Sequence, residues 1–416
     1  MGWNSWDCYG ASVTESELMD NAEAMAAALR PHGWEYLTVD IQWYEPAAES
    51  SRYRKFAPLA MDRHSRLIPA ANRFPSSAGG AGFRPLAERL HAMGLKLGIH
   101  IMRGIPRQAV HADSPVLGSE AGARALAHPN SICPWNTDMY GLDPAHPGAQ
   151  AYYDSLFSLY AEWGVDLVKV DDIAASRFYG AHREEMAMIR RARDRCGRPI
   201  VLSLSPGPAP LELASEFREN AEMWRITDDF WDRWEDLLAM FDRCALWHPH
   251  AGSGHWPDCD MLPLGRIGIR STDGGAGDRT TRFSPDEQLA MLSLWCVFRS
   301  PLILGSHLPS LDDWTLSLLT NPEVIAVNQE GEDPRPLWRR GDILAWTSRA
   351  PKGGRYLALF NLGQAQAGTD IDPAEIDLPG ARRVRDLWAR ADQGIPSGGL
   401  SLNVPSHGAR LLLIGP

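Results

Sequence analysis

The chain has no C-x-x-C pair, no run of 18 apolar residues and no block of basic residues. Its six cysteines are scattered at positions 8, 133, 196, 244, 259 and 296. That spacing supports neither a zinc ribbon nor a thioredoxin motif, and buried free thiols are expected rather than a disulfide framework. Without a long apolar run, no membrane span is expected. Lys and Arg number 41 against 52 Asp and Glu, a formal net charge of −11. An acidic chain without a basic patch argues against nucleic acid or an anionic membrane as partner. No G-x-G-x-x-G follows the first expected strand and no G-x-x-x-x-G-K-[ST] occurs, which counts against a nucleotide-binding sheet. The opening Met1-Gly2-Trp3-Asn4 has neither a basic n-region nor an apolar h-region. A cytoplasmic location is therefore expected, or a secreted or periplasmic one if a leader has been trimmed.

What is present is ordinary for a globular protein: 416 residues, 44% apolar and 22% charged, enough for two or three domains. Tryptophan is the exception, with 16 residues against 10 Tyr and 11 Phe. Broad aromatic rings suit stacking on sugar faces as well as packing in a core.

Short β-branched runs alternate with amphipathic stretches from the first residue to about 330. Residues 36–40, 95–101, 166–171, 200–205, 223–227 and 302–304 read as strands. Thr14-Glu15-Ser16-Glu17 and Ser284-Pro285-Asp286-Glu287 read as capping boxes that open helices. Gly33, Gly94 and Gly164 follow helical stretches as stops. Counting residues 2–6 and 255–262 as strands gives eight strand–helix units. Eight units predict a (β/α)8 TIM barrel over residues 1–332. From 333 the texture changes to short strands separated by turns such as Lys352-Gly353-Gly354 and Ser397-Gly398-Gly399. With Asp333-Pro334-Arg335-Pro336 read as a linker, residues 333–416 are expected to form a small C-terminal antiparallel β-sandwich. Long irregular stretches near 44–81 and 103–146 follow strands, which places them on the C-terminal face where barrel sites are built.

Three carboxylate positions end expected strands: Asp40, Asp171-Asp172 and Asp228-Asp229. Any one could be a helix N-cap. Lys169 and Asp171 lie on the same side of their strand, where the ammonium would keep the carboxylate ionised. Two carboxylates across a Trp-lined pocket are the equipment of glycoside hydrolysis, one as nucleophile and one as acid/base. Two other classes stay open. A metal-dependent barrel hydrolase could draw on His100, His255 and His307, and a non-catalytic carbohydrate-binding protein would need one carboxylate lost. Trp163, Trp295 and Trp314 lie in helical stretches and are expected in the core. Asp172 is expected to cap or brace the site, and Asp258 and Asp260 to orient a loop.

Gly2-Trp3-Asn4-Ser5-Trp6, Lys169-Val170-Asp171 and Trp224-Arg225-Ile226-Thr227-Asp228-Asp229 together resemble glycoside hydrolase family 27, the α-galactosidase and α-N-acetylgalactosaminidase family. Further matches follow in order: Leu97-Gly98-Ile99, Asp260-Met261-Leu262, Ser300-Pro301-Leu302, residues 324–329, Val384-Arg385-Asp386-Leu387-Trp388 and Ser406-His407-Gly408. The resemblance implies a retaining exo-glycosidase with Asp171 as nucleophile and Asp229 as acid/base. It implies Trp6 as platform under the sugar, Lys169 and Arg225 as sugar-binding cations, and Asp40 as the first of two acids holding O4 and O6 of galactose. Trp43 and His100, where a Tyr is usual, are further candidates for the pocket. No cofactor and no metal are implied, and the expected partner is an oligosaccharide or glycoconjugate substrate, with a homo-oligomer left open.

The sequence departs from the family at the glycone. The second acid of the pair is Ile41. Ser205 stands where α-galactosidases carry Glu, as in the N-acetylgalactosaminidase members, but with Pro208 where those have a small residue. Ile173 replaces the family's Cys after the nucleophile strand, so that disulfide is not expected. α-Galactoside remains the expected substrate, with α-N-acetylgalactosaminide, β-L-arabinopyranoside and α-glucoside as alternatives on the same chemistry.

Overall fold

The computed structural model describes residues 1–50, 52–272, 277–378, 382–395 and 399–415. Close contacts divide the chain into two units. The first is Met1–Asp229, Gly265–Thr280 and Ile303–Leu311; the second is Phe230–Leu264, Thr281–Leu302 and Asp312–Pro416.

The first unit contains β1 (Gly2–Asn4), β2 (Tyr36–Val39), β3 (Lys96–Met102), β4 (Leu167–Asp171), β5 (Val201–Leu204) and β6 (Met223–Arg225). β7 (Trp256–Asp258) falls in the second unit and β8 (Ile303–Leu304) in the first. Within the first unit the strands pair in parallel, in the order β8-β1-β2-β3-β4-β5-β6. This is the TIM-barrel architecture that the alternating pattern predicts. Register sets the layers. Thr38 lies opposite Gly98, His100 opposite Lys169, Met102 opposite Asp171, and Lys169 opposite Ser203. Side chains alternate, so Asp40, His100 and Lys169 share one layer and Asp171 lies one step above. Gly98 is required there, since a Cβ would stand 2.4 Å from Thr38 Oγ1.

Helix ends follow the expected signals. Thr14 and Glu17 form a complete capping box on Glu15–Ala24, and Ser284 and Glu287 form one on Pro285–Phe298. The helix Pro147–Trp163 stops at Gly164, and the turn after Arg30–His32 is made by Gly33 at φ 91°. The first strand is shorter than expected. It ends at Asn4, and Trp6 opens the short helix Trp6–Tyr9 because its N–H donates to Asn4 Oδ1 at 2.8 Å. The stretch near 103–146 is a folded insertion with a three-stranded sheet of Ile105–Pro106, Met139–Leu142 and Ala127–Ile132.

The second unit carries a six-stranded antiparallel sheet in the order Glu332–Arg340, Ile343–Arg349, Arg355–Asn361, Ala409–Gly415, Arg383–Asp386, Ala391–Gly394. A two-stranded sheet of Ala367–Ile371 and Leu400–Val404 shares its apolar core of Leu357, Leu359, Ile371, Val404 and Leu412. This is the expected β-sandwich. Residues 333–336 are strand rather than linker. Glu332–Arg340 is an edge strand with two register shifts, and an edge tolerates Pro334 and Pro336 because one row of amides needs no partner. Trp163 and Trp295 are core, but Trp314 is 40% exposed with its Nε1–H on Gln288. Of the expected turn at 397–399, Ser397 and Gly398 lie outside the described residues. All six cysteines are free thiols, five of them buried.

Candidate active site

The ends of β2, β3 and β4 bring a charged cluster together in the first unit. Asp40 follows β2 directly and is buried. Its Oδ2 accepts from Lys169 Nζ at 2.9 Å and Asn4 Nδ2 at 2.7 Å, and its Oδ1 from the Ile41 amide at 2.8 Å. Burial pushes the Asp40 carboxyl up, but Lys169, His100 and the Ile41 amide together outweigh it and hold the group well below the usual range.

Asp171 closes β4 and is also buried. Its Oδ2 lies 3.0 Å from His100 Nε2, and its Oδ1 accepts the Asp172 amide at 2.7 Å. Burial again opposes ionisation, and the His100 hydrogen bond, the nearby cations and the Asp172 amide overcome it, so the carboxyl titrates below its ordinary value. Lys169 contributes charge to Asp171, as the strand alternation suggests, but its hydrogen bond goes to Asp40; His100 is the direct partner of Asp171.

Arg225, at the end of β6, is buried and its Nη2 donates to Asp229 Oδ1 at 3.0 Å. Asp229 is half exposed, and its amide donates to Asp228 Oδ1 at 2.9 Å. Ser205 follows β5, is buried, and donates its amide to Val170 O at 2.8 Å. Trp6 is buried against Tyr53, ring to ring at 6.3 Å and nearly parallel, and Tyr53 meets Trp135 at 5.3 Å. Trp43 is placed differently from expectation. Its ring is fully buried among Tyr44, Phe83 and Trp163, and its Nε1–H donates to the His100 carbonyl at 2.7 Å. It braces β3 instead of facing a ligand, because the aromatic cluster behind the strand takes up its whole surface.

A second layer holds β4. Arg103 is buried, and its amide donates to Asp171 O at 3.1 Å. Its side chain reaches Asp172 O at 2.6 Å, Asp172 Oδ2 at 2.9 Å and Glu185 Oε1 at 2.9 Å. Asp172 thus braces the site, in a left-handed conformation at φ 55°. Asp258 and Asp260 order their own loop in the second unit: Asp260 donates its amide to Asp258 and accepts from the Phe230 amide. Asn4, Tyr53, Trp135 and Arg103 were not singled out from sequence. Asn4 sits inside a motif whose tryptophans draw attention first, and the other three lie in or beside insertions with no period to read.

Among the described residues, no group of three His, Cys, Asp or Glu side chains is spaced to hold a metal ion. His100 is engaged by Asp171 and His307 by Ser310. A barrel whose strand ends present Asp171 with an ionising partner, a second carboxylate on an arginine, and a stacked tryptophan belongs to the sugar-processing hydrolases. The comparisons narrow the class. Residues 137–330 match the family described as Alpha galactosidase A, and residues 340–414 match the Alpha galactosidase C-terminal beta sandwich domain. A GH27 β-L-arabinopyranosidase from Geobacillus stearothermophilus is 59% identical, with a TM-score of 0.99 over all of this chain and 96% of its own. A putative α-N-acetylgalactosaminidase from Bacillus halodurans is 54% identical, with a TM-score of 0.91 over all of this chain and 97% of its own. An α-galactosidase from Cyamopsis tetragonoloba is 27% identical over all of this chain and 86% of its own. The chain belongs to glycoside hydrolase family 27 and is a glycoside hydrolase. No helix among the described residues is long and apolar enough to cross a membrane.

Proposed function

We propose that the protein is a retaining exo-glycosidase that releases terminal β-L-arabinopyranose. The observation that carries the choice of sugar is Ile41. β-L-Arabinopyranose has the ring stereochemistry of α-D-galactopyranose but no C6, and therefore no O6. Where the family pattern has a carboxylate for that edge, this chain presents a buried β-branched side chain with no acceptor. Asp40 remains to bind ring hydroxyls, held ionised by Lys169. A buried site with no hydrogen-bond partner for a hydroxyl disfavours the sugar that carries one. The 59% identity with an enzyme named as a β-L-arabinopyranosidase supports the same reading.

In this reading Asp171 attacks the anomeric carbon as a carboxylate while Asp229 protonates the departing oxygen. The C1–O bond to the aglycone breaks as the Asp171–C1 bond forms. Asp229, now a carboxylate, then takes a proton from water, and that water displaces Asp171 from C1. His100 keeps Asp171 ionised, Arg225 aims Asp229, and Trp6 supports the apolar face of the sugar. Ser205 lines the side that would read the C2 substituent.

The test is a panel of aryl glycosides with Asp171→Asn as control. The β-L-arabinopyranoside should exceed the α-galactoside in kcat/KM by about tenfold or more. A dominant α-galactoside or α-N-acetylgalactosaminide rate would reject the sugar assignment, and full activity in Asp171→Asn would reject the nucleophile. The first-formed product should keep the substrate's anomeric configuration by NMR; an inverted product would remove the double displacement.

A further inference from the structure

Apart from the strand-end carboxylates, the first unit contains a cavity of about 580 Å³ lined from both insertions. Phe56 comes from the insertion near 44–81, and Arg107, His111, Arg124, Asp138 and Tyr140 from the one near 103–146. The volume is that of a small-ligand site.

Its electrostatics run against the composition. The chain carries 52 acids and 41 Lys and Arg, yet this lining has two arginines and a histidine for one acid. That acid is already committed, since Asp138 Oδ2 accepts from Gln42 Nε2 at 2.9 Å and Tyr44 OH at 3.0 Å. Arg124 gives its donors to the main-chain carbonyls of Val110 and His111.

Arg107 lies in this lining between two aromatic rings. Its guanidinium lies 4.6 Å from the Phe56 ring centroid and 4.7 Å from that of Tyr140. These cation–π contacts fix the group without using any of its N–H donors. Its amide is tied down as well, donating to the Asp138 carbonyl at 2.8 Å. Among the described residues, the five side-chain N–H groups make no hydrogen bond, and no carboxylate pairs with them. A half-buried guanidinium held by aromatic rings with unused donors is preorganised for a carboxylate or phosphate, which takes two N–H bonds at once.

We propose that this cavity is a second saccharide site, distinct from the strand-end carboxylates, that binds a monosaccharide-sized anion through an oxyanion seated on Arg107. A sugar carboxylate and a sugar phosphate offer the same chemistry, and the experiment separates them.

The full chain is titrated by calorimetry at low ionic strength with sodium glucuronate, glucose 6-phosphate, neutral glucose and inorganic phosphate. At least one sugar anion should bind saturably, with a Kd on the order of millimolar or tighter. Arg107→Met should weaken it by about tenfold or more, as should raising the salt to 0.5 M. Arg124→Gln, at an exposed position, should weaken it several-fold and provides the test should Arg107→Met not fold. Glucose should give no saturable heat. Equal affinity for glucose, absence of binding by both sugar anions, or binding unchanged in both arginine variants would overturn the proposal. Inorganic phosphate binding as tightly as the better sugar anion would overturn its saccharide part.

Discussion

Ile41 and His100 are single side chains on which the proposed chemistry turns in different ways. Ile41→Asp would restore an acid beside Asp40. It should raise the ratio of α-galactoside to β-L-arabinopyranoside kcat/KM by about tenfold or more, because a site built to hydrogen-bond a hydroxyl discriminates strongly for it. An unchanged ratio would mean that position 41 does not meet the C5 substituent. His100 acts on Asp171. Burial alone would lift that carboxyl, and the His100 hydrogen bond does most to pull it below its ordinary value. The acid limb of the wild-type kcat/KM profile should therefore fall below about pH 4 if Asp171 is the nucleophile. His100→Phe should move that limb to higher pH and lower kcat at the old optimum, while a fixed limb would show that Lys169 and the Asp172 amide suffice.

At the scale of elements, the readable parts of the sequence were those with a local physical cause. Both capping boxes are complete, and Gly164 ends its helix where the pattern stops. Strand ends placed Asp40 and Asp171 in one cluster, since period-2 alternation fixes which side chains turn inward. Other features needed the tertiary structure. Pro334 and Pro336 read as a linker because proline cannot pair on both sides, and only the edge position makes that strand permissible. Trp43 read as a pocket residue from its place after Asp40, but a packed ring cluster far away in sequence claims it. Arg103 lies in an insertion with no period, and its role emerges from partners 69 and 82 residues away. It joins the start of that insertion to the end of β4 and to the helix Arg183–Arg195 through a buried ion network. Breaking such a network strands a buried charge. Arg103→Met should cost about 3–5 kcal/mol in denaturant unfolding. A loss below about 1 kcal/mol would show that Asp172 and Glu185 take up protons without strain.

For the whole molecule, the buried carboxyls impose two opposed dependences of stability on pH. Asp40 and Asp171 titrate lower in the folded chain than their ordinary 3.8. Their stabilisation is complete above about pH 4 and is lost as the pH falls through the folded values. Asp172 has the opposite sign. Burial pushes it up to about 6 in spite of Arg103, so between 3.8 and 6 the folded state keeps a proton that the unfolded chain releases. Its contribution is present below about pH 4 and falls away as the pH rises to 6, by something on the order of 3 kcal/mol. Glu185, also raised by burial, acts in the same direction. Unfolding free energies measured by denaturant from pH 3 to 7 should therefore climb to about pH 4 through Asp40 and Asp171. Asp172→Asn removes the opposing proton, so the variant should gain on the wild type steadily from pH 4 to 6 and run parallel to it above. Parallel curves throughout that window would mean that the Arg103 ion pair holds Asp172 ionised, and that the charge beside Asp171 is permanent rather than set by the medium.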